Sequence, residues 1–177
     1  AIKEHKETNP DFSRVLEVQY RDDKIPGINV TIDDFSMHQL QEEIEQSGVR
    51  IYGWGSWHDA CTADTVIRRF MTFDNPQRAV IGAWNHGGDK NANQYLKDYS
   101  APQPSLTAQW LEDLRFFDQH LKCVETGVMD ESVLTYITMG SETWEQTNSW
   151  PIEGTEFQQL YMGDGHKLSV GHPVLNA

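Results

Sequence analysis

The chain has 177 residues, 38% of them apolar, with 14 Lys and Arg against 27 Asp and Glu and a net charge of −13. That length and apolar content are enough to bury a core, and the acidic balance, with a pI near 4.8, argues against nucleic acid or an anionic membrane surface as partner, because phosphate binding needs clustered Lys and Arg. No apolar stretch approaches the roughly 20 residues that span a bilayer. The first residues carry no signal-peptide pattern, the choice between a cytoplasmic and a secreted location stays open, and Cys61 and Cys123 allow one disulfide at most.

Residues 1–48 read as helices and loops: a helical stretch near Pro10 to Tyr20, a break at Pro26-Gly27, then Asp33 to Gln46 with Leu40 and Ile44 on one face. Glu42, Glu43 and Glu45 read as its solvated side. Two short apolar runs, Val49 to Trp54 and Arg78 to Trp84, read as buried strands, and a helix is expected between them over Ala63 to Phe73, with Arg68-Arg69 facing solvent. The strands should lie parallel and adjacent, joined by a right-handed crossover. Pro102 and Pro104 keep Asp98 to Ser105 out of helix. Ser105 then reads as an N-cap for a helix on which Leu106, Trp110, Leu114, Phe117 and Leu121 recur at helical spacing, a stripe expected to pack against the sheet. From Ser132 the pattern changes to strands, Val133 to Thr138 and Phe157 to Met162, with Trp144 and Trp150 expected to seal a seam against the core rather than to form a sugar-stacking platform.

Each strand of the first pair runs into a loop with chemistry in it: Gly53-Trp54-Gly55-Ser56-Trp57-His58-Asp59, and Gly82-Ala83-Trp84-Asn85-His86-Gly87-Gly88. Asp59 and His86 therefore fall just past the carboxyl ends of neighbouring strands, the edge at which open α/β sheets bind ligands, and in the acid-then-histidine order of an α/β-hydrolase triad. A serine hydroxyl is a weak nucleophile until an imidazole takes its proton and a carboxylate fixes the imidazole tautomer; Asp59 and His86 can supply those two roles. Trp57, His58 and Trp84 are the candidate substrate-pocket residues. The serine is missing from the pattern. Ser56, Ser141 and Ser169 all lack the Gly-x-Ser-x-Gly surroundings of a nucleophile elbow, so the chain is expected to be a piece of a longer hydrolase, inactive by itself. His58, Asp59, His86 and Asp89 form an alternative as a metal site, without a tight spacing signature. A non-catalytic assembly module built on the β-rich tail is the second alternative. His5, His38, His120, His166 and His172 have no partner visible in sequence and read as structural or exposed.

At Trp57-His58-Asp59 and Gly82-Ala83-Trp84-Asn85-His86 the chain resembles the CocE/NonD serine hydrolases, the group of cocaine esterase, X-Pro dipeptidyl-peptidase and α-amino-acid ester hydrolase, whose acid loop has the look Gly-Trp-aromatic-Asp and whose histidine loop reads Gly-Pro-Trp-x-His. Leu114-Arg115-Phe116-Phe117-Asp118 with Leu121-Lys122 is similar to the family's last core helix, Tyr136 to Gly140 with Trp144 and Trp150-Pro151 to the opening of its C-terminal jelly-roll, and Glu4-His5, Asn9, Asp11 and Arg21-Asp22-Asp23 to the end of its helical lid. Ala83 for proline, Cys123 for glycine and His58 for tyrosine or phenylalanine depart from the pattern without touching Asp59 or His86. The resemblance implies an α/β fold: a lid segment over 1–48, the C-terminal part of an α/β-hydrolase core over 49–131, and the start of an all-β jelly-roll over 132–177. It also implies hydrolysis of a small-molecule or peptide ester or amide by a Ser-His-Asp triad, with the serine and an oxyanion hole upstream of these residues, no cofactor and no metal. Oligomeric state stays open.

Overall fold

In the computed structural model of the chain, which describes residues 12–96, 101–130, 133–163 and 165–171, a short helix α1 (Gln41–Ser47) is closed by Gly48 in the left-handed conformation, φ 62°, a turn that costs glycine little. The chain then enters β1 (Ile51–Ser56), α2 (Thr62–Thr72) and β2 (Gln77–Gly82). The two strands pair in parallel from Ile51↔Gln77 to Ser56↔Gly82. Helix α3 (Leu106–Lys122) follows, and β3 (Leu134–Thr138) lies parallel to β2, with β4 (Thr143–Thr147) antiparallel outside it. The sheet order is β1-β2-β3-β4, which leaves β1 with a neighbour on one side only among the described residues.

The two-residue alternation of β1 and β2 sorts their side chains into two layers. Gly53, Gly55, Ala79 and Ile81 face α2, whose Ala63, Val66, Ile67 and Phe70 recur at i, i+3, i+4, i+7 and close a core with Leu134 and Tyr136. Tyr52, Trp54 and Arg78 face α3 instead. Tyr52 meets Phe116 at 5.4 Å between ring centroids and donates its hydroxyl hydrogen to Glu112 Oε1 at 3.3 Å, the same oxygen that lies 3.3 Å from the Arg78 guanidinium. Arg78 also donates to the Val128 carbonyl. Its charge in the middle of a sheet is thus answered on several sides, as a buried charge requires.

Several expectations shift. The Leu106, Trp110, Leu114, Phe117 and Leu121 stripe does not pack on the sheet: Trp110, Leu114, Phe117 and Leu121 are 59%, 54%, 49% and 74% exposed. The buried side of α3 is carried instead by Glu112 and Phe116 toward the sheet, where Glu112 finds Arg78 and Phe116 meets Tyr52, and by Gln109 toward the loops, where its amide finds the Gly88 and Pro104 carbonyls. The Ser105 cap is as expected, its Oγ accepting from Ala108 N–H at 3.3 Å. Before α1 the described chain forms three 3₁₀ turns, Phe12–Glu17, Asp33–Phe35 and Met37–Leu40, rather than continuous α-helices; Pro10 lies outside the described residues. Thr31 N–H donates to Asp34 Oδ2 at 2.7 Å, a local side-chain bond that competes with helix and holds the Asp34 carboxyl below its ordinary pKa.

The residues expected to open a jelly-roll do not change sheet at 132, since β3 extends the sheet of β1 and β2. Among the described residues only β5 (Tyr161–Gly163) and β6 (Lys167–Ser169) form a separate antiparallel pair, and Phe157 precedes that strand, 88% exposed. Trp150 rests against Trp57 and Tyr136, and Trp144 against Trp84. Both tryptophans thus cover the core. Cys61 and Cys123 are exposed free thiols. No described helix is long and apolar enough to cross a membrane.

Candidate active site

Past Ser56 the chain makes one turn before α2: Asp59 N–H reaches the Ser56 carbonyl, and the Asp59 carbonyl accepts both Thr62 N–H at 3.0 Å and the Thr62 hydroxyl at 2.8 Å. This fixes Asp59 over the end of β1. Past Gly82 the chain folds back on itself, with Asn85 N–H donating to the Lys90 carbonyl and Ala92 N–H to the Ala83 carbonyl, so His86 is carried at the tip of a braced loop. Asn85 holds that tip from inside, its amide donating to Asp89 and accepting from Lys90 N–H.

The two tips meet. His86 Nδ1 lies 3.1 Å from Asp59 Oδ1 and 3.0 Å from Oδ2. A carboxylate only accepts, so this contact places a hydrogen on Nδ1, and in the neutral imidazole that leaves Nε2 with a lone pair. The Asp59 side chain is 16% exposed and that of His86 90% exposed, so the pair presents an acceptor nitrogen to whatever occupies the sheet edge.

A cavity of about 280 Å³ opens beside His86, lined among others by Trp54, Trp84, Gln109, Trp110 and Asp113. Burial raises the Asp113 carboxyl above its ordinary pKa, opposed by the nearby Trp54 indole and reinforced by the Glu112 charge. Of the three expected pocket residues, only Trp84 lines this cavity. Trp57 turns the other way, its indole N–H donating to the Ile137 carbonyl at 2.8 Å while its ring packs on Trp150. His58 does not line it either, and its Nε2 is buried without a hydrogen-bond partner among the described residues. Gln109, Trp110 and Asp113 escape the sequence reading because α3 arrives at the site from more than twenty positions downstream of His86, with no spacing signal to announce it.

His58, Asp59, His86 and Asp89 do not converge as a metal site: among the described residues no three His, Cys, Asp or Glu side chains group so as to hold an ion. Asp89 instead accepts from Asn85. A larger cavity, about 540 Å³, lies between the 3₁₀ turns and α2 and contains neither Asp59 nor His86. Its Arg21 is paired with Asp33 and its Arg68 with Asp64, so it has the weaker claim to chemistry.

No family model matches the sequence. Two curated proteins named "putative serine esterase", from Mycobacterium bovis and Mycobacterium tuberculosis, are each 31% identical to it over 144 residues, which is 81% of this chain. The chain spans 22% of the length of these relatives. Among solved structures, a CocE/NonD family hydrolase from Staphylococcus aureus superposes with a TM-score of 0.56 at 13% identity, over 92% of this chain and 26% of that one. In sequence the chain is thus similar to proteins named serine esterases, and in fold to a CocE/NonD family hydrolase.

Proposed function

We propose that Asp59 and His86 are the acid and the base of a Ser-His-Asp triad whose serine lies outside these 177 residues, and that the whole protein hydrolyses an ester or amide bond of a small molecule or peptide. The observation that carries this reading is the contact of His86 Nδ1 with both Asp59 oxygens at 3.0–3.1 Å, placed beyond the carboxyl ends of two adjacent parallel strands. With Nδ1 holding its hydrogen against Asp59, Nε2 takes the proton of the serine hydroxyl as it attacks the carbonyl carbon. The same proton then goes to the leaving group, and Asp59 stabilises the imidazolium in between. The relatives named as serine esterases favour acyl transfer over other chemistry of an Asp-His pair. Trp84 is the pocket wall nearest this chemistry in our reading, and the strands after Leu134 lead into the jelly-roll domain of the whole protein.

The test uses a longer chain that includes the serine. There Asp59→Asn should keep the fold yet lower kcat by roughly 10⁴, because the amide favours the wrong imidazole tautomer, and His86→Ala should cost more. Combining the two should cost little beyond His86→Ala alone. The 177 residues by themselves should give no burst with an activated ester. Near wild-type turnover of Asp59→Asn at saturating substrate would return Asp59 to an ordinary loop position.

A further inference from the structure

We infer that Ser56 is the positioning residue of this site: its buried hydroxyl clamps the acid loop to the base loop and so sets the separation of Asp59 from His86. The inference rests on the proposed roles of Asp59 and His86. Ser56 is 2% exposed at the last position of β1, opposite Gly82, the last position of β2. From here the strands part into the two loops, and Trp57 N–H to the Gly82 carbonyl, 3.0 Å, is the closing rung of the ladder between them.

Beyond that rung the Ser56 side chain takes over what the backbone no longer does. Its hydroxyl donates to the Trp84 carbonyl at 2.6 Å, and the same oxygen accepts from Trp84 N–H and from His58 N–H, each at 3.1 Å. One donor and two acceptor sites are all a hydroxyl has, and all are used. Two bonds hold Trp84, two residues before His86; the third holds His58, next to Asp59. The Ser56 backbone is anchored in turn, its N–H donating to Thr62 Oγ1 at 3.2 Å, the hydroxyl that also donates to the Asp59 carbonyl.

The chemistry of the hydroxyl explains why it is serine that stands here. A glycine or alanine at this buried point would leave Trp84 N–H, the Trp84 carbonyl and His58 N–H unanswered, and such groups find a new partner or move toward water. Either response shifts the loops apart. An aspartate would supply acceptors but no donor for the Trp84 carbonyl, and would place a second charge beneath Asp59. A serine hydroxyl serves both polarities from a single atom.

The consequence is readable in the 177-residue chain without any turnover, as the tautomer of His86. With the imidazoles ¹⁵N-labelled and the solution held well above the ordinary histidine pKa, the Nδ1 and Nε2 shifts of His86, assigned through their loss in His86→Gln, give the ratio of the two neutral forms. Asp59→Asn should lower the Nδ1–H share, which calibrates the contact itself. Ser56→Ala should lower the ratio by roughly threefold, the scale of an exposed charge-assisted contact. Ser56→Thr, which keeps the hydroxyl, should restore it. Val66→Ala, a core change on α2 that lowers stability where it packs on Gly53 inside β1, should leave it at the wild-type value.

A wild-type ratio in Ser56→Ala overturns the inference, as does a ratio in Ser56→Thr as low as in Ser56→Ala. If Ser56→Ala does not fold, Ser56→Cys decides, because a thiol is a weak donor and acceptor: a ratio between wild type and Asp59→Asn supports the clamp, and the wild-type ratio refutes it. No change in Asp59→Asn would refute the pairing of Asp59 with His86 instead, a distinguishable result.

Discussion

Gly82→Ala is the substitution on which the architecture of the site can be tried most directly. A Cβ built at 82 would stand 2.1 Å from one carbon of the Trp84 benzo ring and 2.3 Å from two others, where carbons in contact settle near 3.5–4.0 Å. The ring cannot simply retreat. Trp84 is 5% exposed, sits between Trp54 at 6.0 Å and Trp144 at 6.2 Å, and is held by both backbone polar groups to Ser56. Overpacking of a closed core costs up to about 3 kcal/mol, which at roughly 2–4 °C per kcal/mol for a chain of this size lowers Tm by about 6–12 °C. Thermal and urea unfolding followed by circular dichroism measure this. The double variant Gly82→Ala with Trp84→Leu, in which the offending ring is gone, should be more stable than the sum of the two single changes by about 1–3 kcal/mol. A Gly82→Ala protein within about 0.5 kcal/mol of wild type, or strict additivity in the double variant, would mean that Trp84 does not lie over Gly82.

Burial raises the Tyr52 phenol well above its ordinary value near 10, against a smaller lowering by Arg78 and with further raising by Glu112. The folded chain therefore keeps this proton where the unfolded chain has lost it, so the contribution is complete below about pH 10 and fades as pH climbs beyond it; Tyr52→Phe should flatten that alkaline fall in urea midpoint, and an unchanged slope would count against the burial of the phenol. Glu112→Gln removes the carboxylate from beside Arg78, whose side chain is 8% exposed. Leaving such a cation without its partner costs about 3 kcal/mol, read as a lower urea midpoint with unchanged m-value; a loss under about 1 kcal/mol, the range of a surface pair, would refute the role given to Glu112.

The two strand ends and their loops are legible in the sequence because several local signals agree there: apolar runs, glycines where the backbone turns, and a helical interval of the right length between them. The strands themselves lie one to two residues from where their patterns place them, a slip that leaves Asp59 and His86 at the sheet edge. The face of α3 was not legible in the same way. Periodicity identifies an apolar side of a helix but says nothing about what lies opposite it, and here Glu112, with Arg78 waiting on the sheet, and Gln109, with the Gly88 carbonyl in the histidine loop, turn inward in place of Leu114 and Phe117. Ser56 was invisible for a related reason. A serine outside an elbow motif carries no mark in sequence, and its importance comes from Trp84, 28 positions away. After Ser132 only β3 was readable where it lies, since β4 and β6 were not expected and Phe157 to Met162 meets β5 only at Tyr161 and Met162, and the sheet that β3 joins depends on a pairing with β2 that no local window contains.

Taken by themselves, the described residues have an outer side of β1 without a neighbouring strand and a half-exposed apolar stripe on α3, which bear on how these 177 residues behave as a colloid. A strand edge without a neighbour among the described residues and a row of half-exposed apolar side chains are each adhesive toward other copies, and what opposes adhesion is the −13 net charge. The range of that repulsion is about 10 Å at 0.1 M salt and shrinks as salt rises, while the charge itself vanishes near pH 4.8. For these 177 residues by themselves, mild acid, which removes the net charge, and concentrated salt, which screens it, should both favour self-association.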